Sequence, residues 1–378
     1  VTLPTLRQTE QFAWIGLFVA FAGFAVHMAS YVVLPLLHNQ FAPTDFFAQR
    51  AFAGFAHRSD AGSIYDAEAL NRFQLSLRPD LRQTFSYPYP PSFLLFIGPL
   101  GWLGYQSAYA VWTATMFGLY LIVSLQPESR LRDMVFLTLA PVTMIAEVFG
   151  QTGFLFAILL LGGLRLLNRY PTAAGVLFGL ASFKSQFAVM IPRALFAAAE
   201  YRCLLASAAT VTLLILTTSL LFGVDLWLPG SQVCWPTPRT LMPPSIRTGS
   251  KVSWRTCCCC TPLPLAQIVQ AACATVAAIL VWRHFPRAGA QQRIAILASA
   301  TFLAAPYAFL DDIPVLTKAA LAMLTFRPRA RCQWADQLAA ALLLSYPVIV
   351  SLTTRFFWLC SVTLILFFVL VVRRTQVR

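Results

Sequence analysis

Apolar runs recur along almost the whole chain, parted by short polar breaks. A membrane-crossing helix needs about 20 mostly apolar residues. On that measure the pattern predicts helices over 12–36, 107–126, 133–149, 152–168, 172–183, 187–199, 203–223, 264–282, 292–306, 313–326, 337–353 and 356–372. Several are short enough to be tilted or broken. The first run, Phe12 to Leu37, is too long for a signal-peptide core and has no small-residue cleavage site, so it reads as a retained first helix. One long stretch departs from the pattern. Between residues 38 and 90, Asp45, Asp60, Asp66, Glu68 and Asp80 are interspersed with Arg50, Arg58, Arg72, Arg78 and Arg82. Phe46-Phe47, and Phe52 with Phe55, predict helices lying along a membrane interface there. The expected architecture is an all-α polytopic membrane protein, one transmembrane domain over residues 1–378 with a large first loop at 37–90.

Composition agrees. Hydrophobic residues make up 58% of the 378 and charged residues 11%, against roughly 25% charged in a soluble domain. Lys and Arg number 28 against 14 Asp and Glu. The basic residues cluster between apolar runs, at Arg283, Arg287 and Arg293, at Arg327, Arg329 and Arg331, and at Arg373, Arg374 and Arg378. That is the distribution of cytoplasmic loops, and no basic stripe interleaved with aromatics suggests nucleic acid. With those clusters inside, together with Arg165 and Arg169, Gln151 falls outside and Lys184 near the outer face. The N-terminal half then poses a parity question. If 38–90 lies outside and Arg130 and Arg132 inside, an odd number of crossings must join them, so either Pro91–Gly104 is re-entrant or the Arg130 turn lies outside.

At 83–95 the chain reads Q-T-F-S-Y-P-Y-P-P-S-F-L-L. Proline fixes φ and biases the preceding residue away from helix. Tyr87 to Pro91 is therefore an extended strap where the loop re-enters the bilayer, or else a helix start that carries prolines. Residues 231–263 fit no pattern. Cys257 to Cys260 are consecutive, without the spacers that let two thiolates reach one metal ion. Disulfides, a divergent insertion or a shift of reading frame remain open for that segment.

Ionisable groups at membrane depth mark functional sites by default. Asp45, in A-P-T-D-F-F, has the chemistry of a general base on a hydroxyl; it equally suits a helix N-cap. Lys184, in L-A-S-F-K-S-Q-F-A, is either a phosphate-binding cation or a snorkelling one. Gln151, in F-G-Q-T-G, is a ligand or a satisfied turn residue. Asp311 and Asp312 are adjacent and point differently, so a glycosidase-type carboxylate pair is not implied. His27, His38, His57 and His284 show no H-x-x-x-H spacing.

T-D-F-F-A-Q-R-A after the first helix is followed by G-S-I-Y-D at 62–66, Y-P-Y-P-P-S-F with P-L at 99–100, G-Q-T-G at 150–153, A-G-V-L-F-G-L-A-S-F-K at 174–184 and A-P-Y-A-F-L-D-D-I-P at 305–314. In this order they resemble the polyprenyl-phosphate-mannose-dependent mannosyltransferases of glycosyltransferase family 87. The resemblance covers about residues 12–225 and 264–325. It departs at Ser185, where the family commonly has proline after its lysine, and at 231–263, where nothing corresponds.

The resemblance implies a C-type glycosyltransferase bundle of about 11–13 transmembrane helices, set in the cell membrane with its active site on the outer face. The donor would be a polyprenyl-phosphate sugar and the acceptor a glycolipid or glycan, with no metal or other cofactor. Asp45 would deprotonate the acceptor and Lys184 would hold the phosphate, with Arg50 or Arg58 in support. Gln151, Tyr87, Tyr307 and Asp311 would line the substrate pocket. A lipid or sugar-lipid transporter, or a relative without catalysis, are the alternatives.

Overall fold

A computed structural model describes residues 18, 21–26, 29–30, 45–58, 61–81, 84–234, 251–252, 263–306, 308–309, 312–325, 338–345 and 358–375. Among them the helices include α1 (Asp45–Arg58), α2 (Ala67–Leu77), α3 (Tyr105–Ser124), α4 (Leu131–Leu139), α5 (Pro141–Val148), α6 (Gly153–Leu166) and α7 (Pro171–Leu180). They continue with α8 (Met190–Ala197), α9 (Tyr201–Phe222), α10 (Trp227–Cys234), α11 (Leu263–His284), α12 (Ala290–Ala304), α13 (Pro314–Thr325) and α14 (Trp358–Thr375). The described extended structure is one antiparallel ladder, with Lys251 opposite Phe309 and Val252 opposite Ala308.

By length and composition α3 and α9 are long and apolar enough to cross a membrane. A third span is possible if Pro171–Ala188 and Met190–Ala197, bent by 116°, count as one. The crossing expected at 264–282 falls on the 22-residue α11, and the others fall on shorter helices, such as Gly153–Leu166 and Pro314–Leu324, or partly on residues outside the described set. One expected helix is divided. The run 133–149 breaks into α4 and α5 at Ala140, whose backbone is extended (φ −60°, ψ 131°). Pro141 has no N–H to give and disfavours helix in the residue before it, so the ladder stops and restarts there.

On α9, Leu205, Leu213, Leu216 and Leu220 are exposed. A row of bare leucines on an otherwise apolar helix suits lipid, not water. With no hydrophobic drive between helices in lipid, close van der Waals contact has to hold them. The crossing of α7 and α9 supplies it through Gly175 and Gly179, a G-x-x-x-G pair. A Cβ on Gly175 would lie 2.3 Å from the Cys203 carbonyl oxygen, and one on Gly179 would lie 2.7 Å from that of Ser207.

The hydrogen bonds also show which segments share an end of the bundle. Arg165, in the last turn of α6, donates to Ile122 O (2.7 Å) and Leu125 O (2.8 Å) at the end of α3. Arg293, between α11 and α12 in sequence pattern and inside α12 by structure, reaches Asn168 Oδ1 (3.3 Å). Arg165, Arg293 and the turn after α3 therefore share one end of the bundle. The start of α3 lies at the other end, where Tyr109 and Trp112 touch the turn at 147–151. Residues 91–102, two 3₁₀ turns flanking a four-residue helix, lead from Tyr89, which meets Thr152, to the start of α3 at that same end.

Candidate active site

α1 carries Asp45 in its first turn and His57 and Arg58 in its last, the charge order that suits a helix dipole. Phe46, Phe52 and Phe55 are buried on its inner face. Its first turn docks on the short turn after α5. Phe46 N donates to Phe149 O (3.0 Å), and Gln49 Nε2 to Gly150 O (3.1 Å). From α3, Trp112 Nε1 also reaches Gly150 O (3.0 Å), and Tyr109 Oη reaches Val148 O (2.8 Å). Gly150 sits at φ +62°, and a Cβ there would lie 2.8 Å from Phe46 Cβ. Only glycine allows both the left-handed turn and this close approach of α1.

The docking brings Gln151 to Asp45, with Gln151 Nε2 donating to Asp45 Oδ2. Asp45 is thus a helical residue whose carboxylate is engaged across the chain, 106 residues away in sequence. It remains exposed to solvent, yet the protein around it still raises its pKa above the ordinary 3.8, and the Gln151 bond opposes that rise.

The strap crosses beside this pair. A buried glutamine aligns its start, Gln74 Nε2 donating to Phe85 O (2.7 Å) and Phe85 N to Gln74 Oε1 (2.9 Å). Tyr87 is buried, its ring edge-on to Phe52 at 5.2 Å and its hydroxyl on Pro90 O (3.2 Å). Tyr65 Oη donates to Tyr89 O (2.7 Å), and the Tyr89 hydroxyl meets Thr152 Oγ1 (3.2 Å), next to Gln151. Pro90 is extended (φ −63°, ψ 157°) and Pro91 opens a 3₁₀ turn. The segment is both an extended strap and a helix start.

Beyond the strap an aromatic stack leads to Lys184. Tyr89 packs on Phe93 (4.1 Å between ring centres), and Phe93 stacks on Phe183 (5.2 Å). Lys184 ends the 3₁₀ turn after α7 and lies 5.9 Å from the rings of Phe183 and Phe187. It is inside the bundle, not snorkelling, and its ammonium is ion-paired with Asp312. Both side chains are almost wholly buried, 4% and 3% exposed.

The other expected residues are placed as follows. Arg50 gives Nε and Nη2 to Leu103 O (2.9 and 2.6 Å), which ties α1 to the end of the segment before α3. Burial and the neighbouring Arg58 lower its pKa. Arg58 is exposed at the end of α1. Tyr307, Asp311 and the Cys257–Cys260 run lie outside the described residues. Sequence reasoning noticed Asp312 only as a neighbour of Asp311; nothing in the local pattern distinguishes the two. It missed Gln49, Trp112 and Tyr109 altogether, although a polar residue and two amphipathic aromatics beside apolar runs were the available signal.

A helical membrane protein with an acid–amide pair at one end and arginine turns at the other is the class this structure defines. The sequence matches the model of glycosyltransferase family 87 over residues 87–310, more than half of the chain. The chain belongs to glycosyltransferase family 87 and is a membrane glycosyltransferase. Asp45 precedes the matched range and Asp312 lies just beyond its end, whereas Gln151 and Lys184 lie inside. No curated protein and no solved structure matches the chain.

Proposed function

We propose that the protein transfers a hexose, mannose by its resemblance, from a polyprenyl-phosphate donor to a hydroxyl of a lipid or glycan acceptor, with inversion at the anomeric carbon. One observation carries the reading. The Asp45 carboxylate is fixed by Gln151 on a docked helix, at the end of the bundle opposite the arginine turns. The arginine end suits the cytoplasm, so the Asp45 end suits the outer face of the cell membrane. Nucleotide sugars are cytoplasmic, and a lipid-linked donor is the form that reaches that face.

The chemistry needs one base. The acceptor oxygen attacks C1 from the side opposite the phosphate, its proton passes to Asp45, and the C1–O bond to the phosphate breaks with its electron pair leaving on polyprenyl phosphate. A raised carboxylate pKa makes Asp45 a better proton acceptor, and the Gln151 donor opposes that rise. A phosphate leaving group departs as a stable anion, so cationic stabilisation is sufficient on that side. Lys184 supplies it, supported by Arg58 and by whatever donors Arg50 does not spend on Leu103. Gln151 and Tyr87 shape the sugar pocket, together with Tyr307 and Asp311.

The test uses membranes containing the protein, radiolabelled polyprenyl-phosphate mannose and an acceptor glycolipid. Transfer by the parent and none by Asp45→Asn at equal insertion is the expected result. Equal transfer by both removes Asp45 as base, and donor movement across liposomes without transfer marks a transporter. Labelling of an introduced cysteine at exposed Glu68 by a membrane-impermeant reagent, over the background of the parent's own cysteines, is expected from outside the cell.

A further inference from the structure

Lys184 and Asp312 stand 128 residues apart in sequence and form an ion pair in the interior. Such a pair is poor evidence for stability. Desolvating both ions offsets most of their attraction, and well-packed apolar residues of similar volume usually do as well or better. The surroundings here are already apolar and aromatic, with Phe183 and Phe187 flanking the ammonium, so a hydrophobic pair would fit them. The pair also sits at one particular place. It closes the aromatic path that starts at Asp45 and Gln151 and passes through Tyr89, Phe93 and Phe183. Asp312 stands just before Pro314, the first residue of α13, whose carbonyl is held by Tyr120 Oη (3.0 Å). Its carboxylate is therefore presented from a backbone anchored independently of Lys184.

The geometry points to Asp312 as the resting counter-ion of a phosphate site, an anion that holds Lys184 aimed while the donor is absent and is displaced by the donor's phosphate. This rests on the role given to Lys184 above and extends it to a second residue. An ammonium buried without any anion would be left uncompensated, and a phosphate arriving beside an intact pair would meet the carboxylate's repulsion. Exchange of one anion for the other on a single ammonium avoids both. Asp312 is on this account a positioning residue that competes with the donor and never touches the sugar.

Binding without turnover separates this inference from the identity of the base. The full chain in detergent is titrated with a short-chain polyprenyl monophosphate, in the Asp45→Asn background, and with inorganic phosphate in a parallel arm. The double variant Lys184→Met/Asp312→Leu is expected to insert and melt like the parent while binding the lipid phosphate roughly tenfold to a hundredfold more weakly. Asp312→Asn is expected to bind it more tightly than the parent, and Asp312→Glu to restore parental affinity. A double variant that binds like the parent would overturn the proposal and leave the pair a structural staple. So would Asp312→Asn binding as weakly as the double. Where Asp312→Asn does not insert, the double variant decides alone. Inorganic phosphate matching the lipid's affinity would show an anion site not built for a lipid-linked donor, and would also overturn it. Failure of Asp45→Asn to abolish transfer would leave these binding results unchanged.

Discussion

The turn at 147–151 and the crossing of α7 with α9 are both places where backbones come close, and they are closed by opposite means. At the turn, four donors from α1 and α3 converge on the carbonyls of Val148, Phe149 and Gly150. At the crossing, Gly175 and Gly179 let α9 approach with little more than backbone between them. Directional bonds fix an angle, and van der Waals contact fixes only a distance. The turn has to aim a carboxylate, whereas the crossing has to hold a lipid-facing helix against its neighbour.

The sharpest break in that comparison is Asp45→Asn. Loss of a positioned base costs roughly 10²–10⁴-fold in rate, measured as glycolipid product formed. Stability moves the other way. A folded pKa above the ordinary 3.8 means the ionised group subtracts stability as pH rises through it, so the uncharged amide is expected to melt no lower than the parent at neutral pH. The parent's transfer rate should fall on acidification through that raised pKa, at a higher pH than an ordinary aspartate would give.

Next come the two glycines. Gly175→Val drives a side chain into the Cys203 carbonyl, and overpacking of this kind costs about 1–3 kcal/mol. Its detergent melting point is expected to fall, with activity per folded molecule retained. Gly150→Ala combines a left-handed φ with a clash on Phe46, costing about 1–2 kcal/mol in backbone strain alone. There kcat is expected to fall further than stability, because α1 carries the base away. Equal ratios of activity to stability in both variants would erase the distinction. The smallest effect is expected from Trp112→Phe, which removes one of two donors on Gly150 O and costs about 0.5–1.5 kcal/mol by thermal melt.

Much of this was legible in the sequence. The expected run 107–126 is α3 at Tyr105–Ser124, and 203–223 is α9 at Tyr201–Phe222. Hydropathy is summed over neighbours, so such boundaries are local properties. Asp45, Gln151 and Lys184 stood out for the same reason, as polar residues at the edges of apolar runs. Pro141 should have divided 133–149, but hydropathy is blind to a missing N–H. Arg50 looked available for phosphate by charge alone, while its partner, the Leu103 carbonyl, is invisible until the segment before α3 is folded against α1.

The chain's own order of residues determined that this is a membrane protein, closely where α3 and α9 begin and end, and which few polar groups stand out as candidates. Only the tertiary structure decided which of them meet: Asp45 with Gln151, and Lys184 with Asp312, not with solvent. The reason is physical. Burial preference acts residue by residue along the chain, but a hydrogen bond or ion pair spanning more than a hundred residues exists only once packing has placed both partners.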